Sequence, residues 1–95
     1  MTTLSQPRIA INDETPVLVD LHAFTRALPG CGVSAAPGAQ HTLSARTMVN
    51  AARRALRRFN ENSQPYQIAA YLRSIGESEM RQNPRAEMTI AVLAA

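Results

Sequence analysis

The sequence contains no lysine and no tryptophan, one cysteine, and only four aromatic residues, Phe24, Phe59, Tyr66 and Tyr71. Each shortage excludes something. The single cysteine, Cys31, forms no internal disulfide, which points to a reducing, cytoplasmic setting. There is no run of about 18 apolar residues, so neither a membrane span nor a membrane partner is expected. The first residues, MTTLSQPRIAIND, lack a basic stretch followed by an apolar one, so no signal peptide is expected. His22 and His41 are the only histidines, and no Cys-x-x-Cys or His-x-x-x-His spacing occurs. A metal site and a cofactor are therefore not expected. The scarcity of aromatics also argues against stacking bases of a single strand.

What remains is a chain of 95 residues, 45% hydrophobic and 18% charged, which suits one small globular domain over 1–95. Its core must come from aliphatic side chains and many alanines. A chain this short buries only about 60–65% of the surface its unfolded form exposes. That margin leaves room for a homodimer.

The fold class expected is α+β: a small antiparallel sheet with two or three helices on one face. Residues 1–7 are polar and end at Pro7, a loose N-terminal arm. Strands are expected near 8–11 and 88–93, pairing with each other. Residues 16–28 have two readings. Thr15-Pro16 could open a helix. The preferred version places a strand near 17–19 and a helix near 20–28 capped by Asp20. Pro29-Gly30 ends that helix. Ala36-Pro37-Gly38-Ala39 suits a type II turn, with weak strands at 32–35 and 39–43 making a hairpin around 32–43.

Residues 44–60 give the clearest helix. Ser44 is a good N-cap. Ala45, Met48, Val49, Ala52, Ala55, Leu56 and Phe59 fall on one face at 100° per residue. A second helix near 64–75 starts at Ser63-Gln64-Pro65 and carries Ile68, Tyr71, Leu72 and Ile75 at helical spacing. Gly76 reads as its C-terminal stop. A short helix near 78–83 follows, ended by Pro84.

The charge distribution is the strongest functional signal. All ten basic residues are arginine. Residues 43–60 hold Arg46, Arg53, Arg54, Arg57 and Arg58 with no acid among them, while the other five arginines share the chain with all seven acids. Without acids at i±4 the five gain no ion pairs within the helix and repel one another. A forked, permanently charged guanidinium suits carboxylate and phosphate. Arg46, Asn50, Arg53, Arg54, Arg57 and Arg58 are therefore the expected partner-binding residues. The plainer reading is a solvated face answered by Glu61, Glu77, Glu79 and Glu87.

Other chemistry is poorly supplied. Residues 67–81 loosely resemble a helix-turn-helix with Gly76 at the turn. The spacing is too long, however, and Pro84 cuts the second helix short. Cys31 and His41 would need to meet across the Pro37-Gly38 turn to act as a dyad. Gly32-Val33-Ser34-Ala35-Ala36 lacks the last glycine of a nucleophile elbow. Gly30-x-Gly32 has no following Lys-Ser/Thr for phosphate. The carboxylates are scattered, with no acid/base pair. The function expected is a non-enzymatic binding protein, an inhibitor or adaptor of an acidic protein or protein–nucleic-acid complex, of a kind a phage or mobile element would encode. The alternative is a DNA- or RNA-binding regulator that uses the same helix on phosphates.

Overall fold

A computed structural model describes residues 7–12 and 14–93. The N-terminal arm expected over 1–7 lies, apart from Pro7, outside the described residues. The chain forms an α+β fold: β1 (Arg8–Ile11), β2 (Val17–Leu18), α1 (Leu21–Ala27), β3 (Gln40–Ser44), α2 (Ala45–Arg58), α3 (Gln64–Gln82) and β4 (Glu87–Leu93). The four strands make one antiparallel sheet in the order β2-β1-β4-β3.

β4 sits centrally because both its edges find partners. Ile9 opposes Val92 and Ile11 opposes Ile90 on one side. On the other, His41 opposes Ile90 and Leu43 opposes Met88. Opposed residues share a face, so the period-2 pattern of β1 and β4 puts Ile9, Ile11, Met88, Ile90 and Val92 beneath the helices. These five join Phe24, Leu28, Met48 and Leu72 as the largest fully buried side chains, each worth about 1.5–3 kcal/mol of burial. The reverse face carries small and polar groups such as Ala10, Thr42, Thr89 and Ala91, with Leu18 58% exposed at the β2 edge.

The helix starts follow the caps that the sequence offers. Asp20 accepts from the backbone N–H groups of His22 and Ala23 at 2.8 and 3.2 Å. Ser44 accepts from Thr47 N at 3.0 Å, and Ser63 accepts from Tyr66 N at 3.4 Å with Pro65 in the first turn. Each side-chain oxygen satisfies an orphan donor of a first turn. The preferred reading of 16–28 holds in slightly shorter form, and Val19 N donates to Pro7 O at 3.1 Å to continue the sheet margin.

Two expectations are overturned. Gly76 does not end a helix, and no separate helix spans 78–83. α3 is one helix of 19 residues with Gly76 buried inside it. The reason is packing: a Cβ there would lie 2.6 Å from Val49 Cγ2 and 3.1 Å from Met48 Cε. Glycine is needed so that α3 can pass close to α2. The uninterrupted helix also removes any helix-turn-helix at 67–81.

Nor does the hairpin around 32–43 form. The Ala36–Ala39 turn is present, with Ala39 N donating to Ala36 O at 3.0 Å and Gly38 at φ 84°. Residues 32–35 form no strand. Gly30 and Gly32, at φ 82° and 66°, bend the chain away from extension. β3 instead takes the free edge of β4, and Gly38 N→Val92 O and Val92 N→Ala39 O, both 2.8 Å, carry that pairing past the strand itself.

Candidate functional site

α2 is anchored by its apolar face. Ala45, Met48, Val49, Ala51, Ala52 and Ala55 are buried, while Leu56 and Phe59 are half-buried at the margin of the core. With that arc fixed, helical geometry points the remaining residues outward. Arg46, Asn50, Arg53, Arg54, Arg57 and Arg58 are all exposed.

The six do not form one site. Arg46, Asn50 and Arg53 line a groove of about 590 Å³ between α2 and α3, where Val49 and Met80 supply apolar surface and Glu77 and Arg81 complete the wall. Arg54 turns the other way, toward α1, and its Nη2 donates to Pro29 O at 2.8 Å. Arg58 also lies on the α1 side, where it lines a smaller hollow with Pro29, Arg26 and Phe59. There the Arg26 guanidinium stands 4.9 Å above the Phe59 ring centroid, a cation–π distance. Arg57, one helical turn on from Arg53, extends the stripe that begins at Arg46.

The counter-charges are fewer than the plainer reading required. Arg53 Nη2 meets Glu77 Oε2 at 3.0 Å, and Arg73 Nε stands 3.6 Å from Glu77 Oε1. Among the described residues, Glu61, Glu79 and Glu87 form no ion pair, and Arg46, Arg54, Arg57 and Arg58 have no carboxylate partner. One glutamate thus answers two arginines, and only one of these is on α2. Both partners of the α2 pair are substantially exposed, so water and salt screen it.

No protein-family model, curated protein or solved structure matches this chain. The site is therefore read from geometry alone. Arg46 and Arg81 line this open groove beside Val49 and Met80, so guanidinium donors suited to an anion stand next to a small apolar surface. Arg81 was not among the residues expected from the sequence. Had the helix been read through Gly76, Arg73, Glu77, Met80 and Arg81 would have fallen on one face at i, i+4, i+7 and i+8. The apparent stop at Gly76 concealed that face.

The residues weighed for other chemistry lie elsewhere. His41 reaches the backbone of Ser34 through Nε2, at 2.9 Å from its N and 3.0 Å from its O. Burial pushes the Cys31 thiol above its ordinary pKa, with Arg54 pulling weakly the other way. A thiol held protonated is a poor nucleophile at neutral pH. Among the described residues no group of three or more His, Cys, Asp or Glu side chains is placed to hold a metal ion. No helix there is long and apolar enough to cross a membrane.

Proposed function

We propose that this chain is a non-enzymatic, cytoplasmic binding protein that docks through α2 on the acidic surface of a protein partner or protein–nucleic-acid complex, as an inhibitor or adaptor. The observation that carries the reading is the uncompensated charge of α2: four of its five arginines lack a carboxylate among the described residues. Like charges crowded on one helix cost stability. A partner that answers them recovers that cost and gains charge-assisted hydrogen bonds. Arginine anchors of this kind commonly dominate interface energetics.

A protein partner is preferred to bare nucleic acid because Val49 and Met80 lie among the charged residues that line the groove between α2 and α3. An apolar side chain of a protein gains from contact with these two residues, whereas a phosphate chain does not. The second reading rests on the stripe formed by Arg46, Arg53 and Arg57, which could follow a phosphate backbone.

The deciding experiment compares the wild type with an Arg53→Glu/Arg57→Glu variant checked for native circular dichroism. The protein reading expects affinity capture to recover a partner that cross-links to α2, with the variant losing it. A partner retained by the folded variant refutes the reading. Fluorescence anisotropy with duplex DNA, single-stranded DNA and RNA covers the alternative. Micromolar binding that collapses with salt and is lost in the variant replaces the protein reading with the nucleic-acid one.

A further inference from the structure

We infer that the groove between α2 and α3 is a receptor for an acidic peptide segment of the partner, one that carries an apolar residue beside its carboxylate, and that Glu77 occupies the place of that carboxylate while the groove is free. This rests on the reading of α2 as a docking helix and makes it specific.

Charge is the first argument. Arg46, Arg53 and Arg81 surround the groove, and Glu77 is the one carboxylate lining it. Arg53 and Arg73 both hold Glu77, at 3.0 and 3.6 Å. Arg46 and Arg81 are left with no carboxylate partner among the described residues. The groove therefore retains uncompensated positive charge at two of its lining residues.

Shape and lining supply the second argument. The groove is open to solvent along its length and has a volume of about 590 Å³. It accommodates a few side chains rather than a single ion. Met80 is half-buried on the α3 side and packs against the core with part of its side chain, and an unbranched thioether adapts to varied apolar shapes. A carboxylate bound by guanidinium, with an aliphatic neighbour resting on Met80, uses both kinds of surface at once. A free phosphate uses only one.

The position of Glu77 makes the proposal testable. A resident carboxylate that already engages Arg53 competes with the incoming one and repels it. Removing its charge while keeping its shape frees Arg53 and lifts the repulsion. An anion bound away from the groove would feel the loss of that charge only through the weaker, salt-screened long-range field.

The probe is a fluorescein-labelled nonapeptide alternating glutamate and leucine, titrated by anisotropy at low salt and mapped by methyl and backbone amide NMR. The wild type is expected to bind it with saturable shifts at the Met80 methyl. Glu77→Gln should tighten binding by about two- to fivefold, the range an exposed charge pair supports. Arg81→Gln should weaken it by a similar factor, and Arg8→Gln, at the far side of the sheet, should leave it unchanged. Thermal melts verify that each variant is folded. Unchanged or weaker binding by folded Glu77→Gln overturns the proposal. So does equal affinity for a peptide alternating glutamate and serine, or an equal Met80 shift from duplex DNA. Shifts confined to Arg54, Arg57 and Arg58 discard the groove yet keep the docking helix. Absence of binding anywhere on α2 discards both.

Discussion

Replacing Gly76 by alanine sets two effects of known size against each other. In the interior of an exposed helix the substitution stabilises by about 0.8–1.0 kcal/mol, because alanine loses less backbone entropy. Here the new Cβ would stand 2.6 Å from Val49 Cγ2, 3.1 Å from Met48 Cε and 3.4 Å from the Ala45 carbonyl oxygen. Met48 Cε is the end of a flexible chain and can swing aside. Val49 cannot do so cheaply, because a β-branched side chain in a helix has one strongly preferred rotamer and this one is buried. Overpacking of this kind costs about 1–3 kcal/mol. The net expectation is a loss of about 1 kcal/mol, which lowers the melting temperature by roughly 4–8 °C in a domain of this size. Urea titration of Gly76→Ala, Val49→Ala and the double variant separates the causes. Val49→Ala alone loses about 0.8 kcal/mol for each buried carbon removed. The double variant should be more stable than the sum of the two losses by about 1 kcal/mol, since one truncation makes room for the other addition. A stabilised Gly76→Ala would mean that propensity outweighs the clash. Strictly additive losses would mean that Gly76 matters for its backbone and not for the approach of α2, and either result refutes the packing argument.

Other outcomes can be checked with the same equipment. Ser44→Ala removes the acceptor of Thr47 N where β3 passes into α2 and should cost about 1 kcal/mol; an unchanged urea midpoint would show that the cap is idle. Arg53→Gln breaks an ion pair whose side chains are 52% and 36% exposed, so stability should change by less than about 1 kcal/mol and by less still in high salt. A larger loss would make Arg53 a structural residue and spoil it as a functional probe. Burial keeps the Cys31 thiol and the Tyr71 phenol protonated beyond their ordinary values of 9.0 and 10.0, with Glu14 adding to the effect on Tyr71. The native state therefore holds these protons after the unfolded chain has released them. Their stabilising contribution is complete below pH 9.0 and is lost as pH rises through the raised native values. Urea midpoints should fall across that alkaline range, and less so in a Cys31→Ala/Tyr71→Phe variant; a midpoint that rises with pH would contradict the burial argument.

Much of the local structure was legible because it depends on neighbours in the chain. Asp20, Ser44 and Ser63 cap helices where their short side-chain oxygens suit a first turn. The turn at Ala36–Ala39 follows from Pro37 and the positive φ of Gly38. Alternation at Ile9 and Ile11 and at Met88, Ile90 and Val92 marks two strands with one buried face, and their pairing follows from the shared pattern. Gly76 misleads because a glycine after an apolar helical run looks the same whether it ends the helix or admits a neighbour. The distinction lies in Val49, 27 positions away. The expected strand at 32–35 does not form for a related reason: residues 40–44 pair with β4 and not with their own flanking segment.

The arginine face shows the same division. Five arginines without an interleaved acid, opposite an apolar arc, establish from the sequence alone that α2 presents positive charge outward, because helical periodicity and burial leave it nowhere else to go. Only the tertiary structure decides which of those arginines act together. The passage of α3 across α2 at Gly76 brings Glu77 to Arg53 and Arg81 to the same groove as Arg46, while α1 and Pro29 draw Arg54 away on the other side. Periodicity sets the direction of a side chain relative to its own helix. What it meets there depends on packing between distant segments, which no local pattern encodes.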